Sequence, residues 1–457
     1  MLNLLYIRQI HITNCINKGK LEKISELSEI QARIENWLII EADRIKTQIK
    51  INDIITDEKV NLHHYEIHKK VAKRSHILNL ETSEGAKKGH EECAEFLAQN
   101  VSGFLKHQIL LNKEAQDILL DEVSTVFTKE DNSILDKTPD KEEIYEILKK
   151  SNLRASPGTD GLTGLLYYKH FDILGEPLTK VIEEIHRGRS PTISQNTSMM
   201  IFADKPKKAG SLLVKDKRTI SLLNADYKLL TGIEASRHSD IMDRTISNNQ
   251  FAVGKNRNIN DAINLARDAI HAASRYKEVG IADQDFEAAF NYLCMEWVEK
   301  VLKKKGMSEK SLNRINRLYT GGITIPVVNN IPGKKIHNSR RTLRQGDCPS
   351  SNWFCYGIDP MLMYLDRRLT GITIYSLPVL GPANRNEKFP LPEDKCVYRV
   401  TGYCDDCKPA VTSMKEFELI DRAAALFESA SGCRLHRDPK TNKCKFLPLG
   451  KWNSTLK

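Results

Sequence analysis

The sequence lacks any long hydrophobic run, and it contains no proline before Pro139. A membrane-spanning helix needs roughly 18 consecutive apolar residues, so we expect a soluble protein that does not enter a membrane. The N-terminus lacks the basic start, apolar core and small-residue cleavage site of a signal peptide, which predicts no secretory leader. The ten cysteines are mostly isolated, which argues against a disulfide framework and favours a reducing, intracellular compartment.

The composition is that of a globular protein with a basic bias. A chain of 457 residues is long enough for two or three domains, each with its own core. Hydrophobic residues make up 40% and charged residues 28%, which is ordinary for such proteins. The formal net charge of +10 favours an acidic partner, of which nucleic acid is the commonest.

The region up to residue 139 shows helical periodicity but no catalytic motif. Apolar residues recur every three or four positions between residues 20 and 127, which predicts a mainly helical N-terminal extension, residues 1–139. Its HHYEIH segment places His64 and His68 one helical turn apart. No acidic residue follows at the spacing of zinc proteases, so a solvated helix face is the favoured interpretation. A polar linker, Lys129–Lys141, is predicted to close this region.

A first acidic motif lies in VGIADQDFEAAFNYL, Val279–Leu293. The pattern predicts a short strand that ends at Asp283 and Asp285, followed by a helix from about Glu287 to Lys305. Strand ends that direct carboxylates into a cleft are common positions for ligands and metals. An aspartate that only caps the helix explains Asp285 equally well at this point.

A second acidic motif lies in VYRVTGYCDDCKPAV, Val397–Val411. It predicts a strand, a tight turn led by Gly402 and a second strand, with Asp405 and Asp406 at the tip. Adjacent carboxylates repel each other, and a hard cation such as Mg²⁺ relieves that repulsion. A surface turn that happens to carry two aspartates is the alternative for this motif alone.

Cysteines near this motif raise two other hypotheses. CDDC has the spacing of a thioredoxin-like redox pair, Cys404 and Cys407, but that pair normally opens a helix, whereas here it lies between two strand-like runs. A zinc site built from Cys396, Cys404, Cys407 and Cys433 is the other hypothesis, and it lacks paired CxxC spacing.

Four further segments accompany the two acidic motifs. They are SPGTDGL at 156–162, RTISLLNADYKLL at 218–230, RQGD at 344–347 and KCKFLPLG at 443–450. In this order with DFEAAF and YCDD, they closely resemble the reverse transcriptases of non-LTR (LINE-like) retrotransposons, over residues 140–450. The resemblance implies an α+β right-hand polymerase fold, whose palm carries the acids and whose fingers close over the nucleotide. It implies RNA-directed DNA polymerase activity.

The resemblance also implies a role for individual residues. Two Mg²⁺ ions, with Mn²⁺ as an alternative, would be held by Asp285 and Asp405, with Asp406 supporting or sharing the site. Phe290 matches the bulky residue that excludes a ribose 2′-hydroxyl, although only its spacing from Asp285 separates it from a core aromatic. Gln345 and Gly346 match the turn that lies against the template and the nucleotide. Arg218 matches the arginine of the fingers, and Lys443 matches a lysine that protonates pyrophosphate.

The implied partners are an RNA template, a DNA primer and deoxynucleoside triphosphates, in the nucleus or cytoplasm. The chain departs from the family pattern at Cys404, where alanine is usual, and at Asn291, where aspartate is common. Residues 451–457 only begin the segment that leads to the thumb, so we expect the thumb to be missing or truncated. The alternative to catalysis is a truncated or repurposed copy that only binds nucleic acid.

Overall fold

The computed structural model describes residues 11–12, 25–33, 77–82, 85–106, 110–205, 211–276, 278–287, 289–329, 331–338, 342–375, 395–437, 443–450 and 452. Its internal contacts divide the chain into two units, Met1–Ser75 and His76–Lys457. In the first unit, residues 25–33 form a helix, as the periodicity predicted for that stretch. The HHYEIH segment lies outside the described residues.

The second unit mixes α-helices and β-strands. Its helices are α1 (His90–Lys106), α2 (Lys113–Leu120), α3 (Lys129–Asp136), α4 (Lys141–Lys150), α5 (Gly164–Lys169), α6 (Phe171–His186), α7 (Ala225–Thr245), α8 (Ile259–Ala272), α9 (Ala289–Tyr292), α10 (Met295–Lys304), α11 (Glu309–Tyr319), α12 (Ser350–Arg368) and α13 (Met414–Ser431). Its strands are β1 (Asn79–Thr82), β2 (Gly85–Lys88), β3 (Thr197–Asp204), β4 (Lys217–Leu222), β5 (Glu278–Asp283), β6 (Ile323–Val328), β7 (Ile331–Pro332), β8 (Ile336–His337), β9 (Ile372–Tyr375), β10 (Lys395–Tyr398), β11 (Val400–Tyr403), β12 (Asp406–Val411) and β13 (Lys445–Gly450).

Four strands form an antiparallel sheet that carries both acidic motifs, here called the central sheet. Its order is β11-β12-β5-β13, and the register pairs Ala410 with Ile281 and Leu447 with Ile281 on the other side. The interior strand β5 is apolar along its centre and mostly buried, as expected for a strand with neighbours on both sides. Helices α12 and α13 contribute large buried side chains to the core beside it, including Trp353 and Phe427.

A second sheet, here called the lateral sheet, has the order β4-β3-β6-β7, with β8 also paired to β6. The β6–β7 turn lies at Asn329, although the nearby Pro332-Gly333 dipeptide is the stronger local turn signal. Asn329 has a φ of 53°, which asparagine tolerates better than most residues. Its side chain also exchanges hydrogen bonds with the backbone of Ile77, at 2.7 and 3.0 Å. These long-range bonds explain why the turn is not at the proline.

Two other local predictions differ from the structure. The stretch predicted as the linker Lys129–Lys141 contains α3, which begins at a capping box in which the side chains of Thr128 and Asp131 accept from each other's backbone N–H. The region predicted to be helical up to residue 127 also contains the hairpin β1–β2. Leu119, Leu135 and Ile144 belong to one core cluster, so α2, α3 and α4 contribute side chains to the same core. The boundaries proposed at residues 139 and 450 stay predictions.

No helix in the part of the chain that the structure describes has the length and apolar character needed to cross a membrane.

His238 is a buried histidine without a hydrogen-bond partner on either ring nitrogen. Its ring packs edge-on against Trp353 and Tyr356, at centroid distances of 4.6 and 5.9 Å. Burial, and then the charge of Arg314, lowers the pKa of His238 to about 3. The folded protein therefore keeps this ring neutral at pH values where the unfolded chain takes up a proton.

We predict that His238→Phe makes the protein less sensitive to acid. A histidine with a lowered folded-state pKa costs about 1.4 kcal/mol of stability per pH unit below its unfolded value of about 6.5. Phenylalanine suits the aromatic surroundings and removes this proton uptake. Denaturant unfolding of both proteins between pH 7.5 and pH 4.5 measures the difference, and parallel pH profiles would contradict the prediction.

Candidate active site

Backbone pairing brings the two acidic motifs together at one end of the central sheet. Gln284 and Cys407 exchange backbone hydrogen bonds of 2.9 and 3.3 Å just beyond the β5–β12 ladder. In an antiparallel register this places Asp285 opposite Asp406, and Asp283 opposite Lys408. Lys408 Nζ lies 2.5 Å from Asp283 Oδ1, as this register requires. Asp285 and Asp406 therefore form a like-charged cross-strand pair, which opposes folding.

The YCDD segment forms the hairpin that its sequence pattern predicts, but the turn lies elsewhere. Gly402 lies within β11, opposite Cys407, and the turn is at Cys404 and Asp405. Cys404 has a φ of 53°, and its N–H donates to Gln250 Oε1 at 3.0 Å. A side chain at Gly402 would meet Leu362 Cδ1 at 2.7 Å, so this glycine serves close packing against α12.

The carboxyl groups at this end of the sheet repel one another. Burial raises the pKa of Asp405, and the charges of Asp406 and Asp285 raise it further. Desolvation also raises the pKa of Asp406, with Asp283 and Asp285 adding to the rise and the cations of Lys408 and Lys443 opposing it. A cation placed among these groups would favour their charged forms.

Several basic side chains face the same acids. Lys443 Nζ lies 2.8 Å from Asp285 Oδ2, and His436 Nε2 lies 3.7 Å from the same oxygen. The charge of Arg218, on β4, lowers the pKa of Asp405. Lys205 follows β3; burial lowers its pKa, and the charges of Lys443 and Arg218 lower it further. Asp285, Asp405, Asp406, Arg218 and Lys443 thus lie close enough together for their charges to influence one another.

Sequence reasoning missed Lys205 and His436. Lys205 stands in the basic run DKPKK, whose position after a strand was the available signal. His436 belongs to no motif, so nothing in the sequence alone distinguished it.

The acids suit a hard divalent cation in donor type and charge. Asp285, Asp405 and Asp406 offer carboxylate oxygens whose mutual repulsion a cation would relieve. Among the described residues, no three His, Cys, Asp or Glu side chains stand in an arrangement that could hold a metal ion. Asp285 instead contacts the ammonium group of Lys443. Water and phosphate oxygens usually complete Mg²⁺ coordination, so the chemistry of this donor set fits the ion.

The Gln345–Gly346 turn lies against β4, the strand that carries Arg218. Gln345 O accepts a 2.7 Å hydrogen bond from the N–H of Ser221. Gly346 has a φ of 114°, and a Cβ there would lie 2.7 Å from Ser221 O. The flanking side chains are buried and structural: Arg344 binds Asn196 at 2.5 Å, and Asp347 accepts from Tyr319 Oη at 3.0 Å.

Phe290 lies on α9, a single turn that ends before the next helix, α10, begins. The predicted continuous helix from Glu287 to Lys305 is therefore interrupted. The half-buried ring of Phe290 packs against Phe354 at a centroid distance of 5.2 Å. The next residue, Asn291, donates to Thr219 Oγ1 at 3.0 Å, which ties this turn to β4.

The cysteine hypotheses gain no support from the geometry. Cys407 is buried within β12, and the sulfur near Cys404 Sγ is that of Cys355, at 3.8 Å. Cys433 is buried with its Sγ directed at the carbonyl of Ala289, at 3.8 Å. The CDDC pair therefore lies in a β-hairpin, and the proposed zinc ligands do not converge within the described residues.

We predict that Gly346→Ala destabilises the protein by about 1–3 kcal/mol, because it forces a side chain into a left-handed conformation and against Ser221 O. The matched control is Gly103→Ala in α1, where a Cβ meets nothing within 4 Å. That change should stabilise by about 0.5–1 kcal/mol. Denaturant unfolding of both variants measures this, and a Gly346→Ala protein as stable as the parent would contradict the prediction.

Comparison with known proteins finds a similarity to a transposon-encoded protein. No protein-family model matches the chain. Over 316 residues, 67% of this chain, it is 24% identical to the transposon TX1 uncharacterized 149 kDa protein of Xenopus laevis. The match covers 22% of that protein, so the chain spans about a fifth of the relative's length. The chain is thus similar to part of a transposon-encoded protein, which is consistent with a retroelement origin.

Proposed function

We propose that this chain is an RNA-directed DNA polymerase of a non-LTR retrotransposon, with fingers and palm of the right-hand polymerase type. The observation that carries the proposal is the pairing of Gln284 with Cys407, which brings Asp285 to the Asp405–Asp406 turn. The chemistry needs carboxylates from separate strands at one point, because two metal ions must be held side by side.

Each residue of the candidate site has a defined part in this proposal. Asp285 and Asp405 would hold Mg²⁺, and Asp406 would share it. When bound, the ions lower the pKa of the primer 3′-hydroxyl and neutralise the triphosphate. The protein's own contribution is positioning and electrostatics, with no covalent intermediate.

The basic side chains would act on the triphosphate. Arg218, exposed on β4, would contact the triphosphate or the template, and Lys443 would move from Asp285 to protonate the pyrophosphate leaving group. Phe290 would pack below the sugar and exclude a 2′-hydroxyl, while Gln345 and Gly346 would line the template and nucleotide. The net charge of +10 supports a nucleic-acid partner, and the transposon relative supports the retroelement origin.

We predict that Asp285→Asn and Asp405→Asn each lower primer extension by roughly 10²–10³-fold, because each removes a charge that the transition state requires. The assay is extension of a DNA primer on an RNA template with Mg²⁺ and deoxynucleoside triphosphates. Asp268→Asn, on the exposed face of α8, is the matched control and should extend at the parental rate.

Two results would count against polymerase activity. Equal extension by the parent and both site variants would show that the acids are not catalytic. Salt-dependent binding of the primer–template without any extension by the parent protein would instead favour the alternative, a chain that only binds nucleic acid.

A further inference from the structure

His436 is held next to Asp285 by the main chain. Its N–H donates to Asp285 O at 3.0 Å, and the N–H of Glu287 donates to Arg434 O at 2.7 Å. Between these two bonds, Phe286 pairs with Leu435. The position of residue 436 therefore does not depend on its side chain, so the imidazole can be replaced without removing this pairing.

The side chains place two different nitrogens on one carboxylate oxygen. Asp285 Oδ2 lies 2.8 Å from Lys443 Nζ and 3.7 Å from His436 Nε2. Lysine can only donate, whereas a neutral imidazole has a lone pair that binds metals. Lys443 is 49% exposed on a flexible stem, so it can move away, while His436 is 22% exposed and is positioned by the backbone.

We propose that His436 is a nitrogen ligand for the ion at Asp285 and shifts the preference of that position from Mg²⁺ toward divalent transition metals such as Mn²⁺. Mg²⁺ is bound mainly by oxygen, whereas imidazole is an ordinary ligand of first-row transition metals. The inference rests on the proposed metal site and adds a selectivity to it. Among the described residues no three ligand side chains stand ready to hold a metal ion, so water and phosphate oxygens would supply the positions that Asp285, Asp405 and His436 leave open.

The test measures ion binding to the full chain without primer, template or nucleotide. Loss of the free-ion electron paramagnetic resonance signal reports Mn²⁺ binding, and competition reports Mg²⁺. We predict that His436→Gln weakens Mn²⁺ binding roughly tenfold or more while Mg²⁺ binding changes by less than about twofold.

Lys443→Met is the matched comparison, since it removes the other nitrogen from the same oxygen. It removes a competing positive charge but no metal ligand, so it should strengthen the binding of both ions by the same factor. A change in the Mn²⁺ to Mg²⁺ ratio is therefore specific to the imidazole.

A spectroscopic measurement can detect the imidazole ligand directly, in addition to the binding affinities. Pulsed electron paramagnetic resonance of bound Mn²⁺ should show coupling to an imidazole nitrogen in the parent protein, and both His436→Gln and His436→Asn should lose it. An unchanged ion ratio in folded variants, no nitrogen coupling in the parent, or no Mn²⁺ binding at all would overturn the inference. Failed primer extension with intact nitrogen coupling would count against the polymerase alone.

Discussion

The pairing of Gln284 with Cys407 is the constraint on which the candidate site depends. Side chains alternate along a strand, so a register shift of one residue would move Asp285 to the face opposite Asp406. Burial raises the pKa of Asp405 and Asp406, and the charge repulsion that this pairing creates raises it further. The surrounding structure must therefore hold a register that its own charges disfavour.

A chain of polar contacts connects the buried core to the turn at Cys404 and Asp405 and helps to hold this register. Asp359 in α12 is fully buried and forms a 2.7 Å ion pair with Lys305. Its Oδ1 also accepts from the N–H of Ser247 at 3.1 Å, which fixes the start of a loop that follows α7. Gln250 of that loop accepts the hydrogen bond from the N–H of Cys404. Removing one partner of such a buried pair would leave an uncompensated charge, so these contacts are tightly interdependent.

The sequence alone predicts the secondary structure correctly where the signal lies within a short stretch of the chain. The apolar strand before Asp283 and the hairpin around Asp405 both follow from patterns within a dozen residues. The position of the hairpin turn could not be predicted, because Gly402 looks like a turn residue and serves instead to admit Leu362 of α12. The local turn signal at Pro332-Gly333 misleads for a similar reason, because a hydrogen bond from distant Ile77 stabilises the turn at Asn329 instead. Tertiary contacts override local preference in both places.

The arrangement of charges around the acids is even harder to predict from the sequence alone. Lys205, Arg218, His436 and Lys443 come from separate parts of the chain, and only the folding of β3, β4 and β5 with the segments after α13 brings them to one set of acids. Under the proposed function, this cluster of acids surrounded by cations would receive a ligand that supplies both a metal and phosphate groups. The metal would replace Lys443 at Asp285, and the phosphates would receive the displaced lysine together with Arg218. The ion pair between Asp285 and Lys443 would then be one state of an exchange, in which each charge gains a new partner when substrate binds.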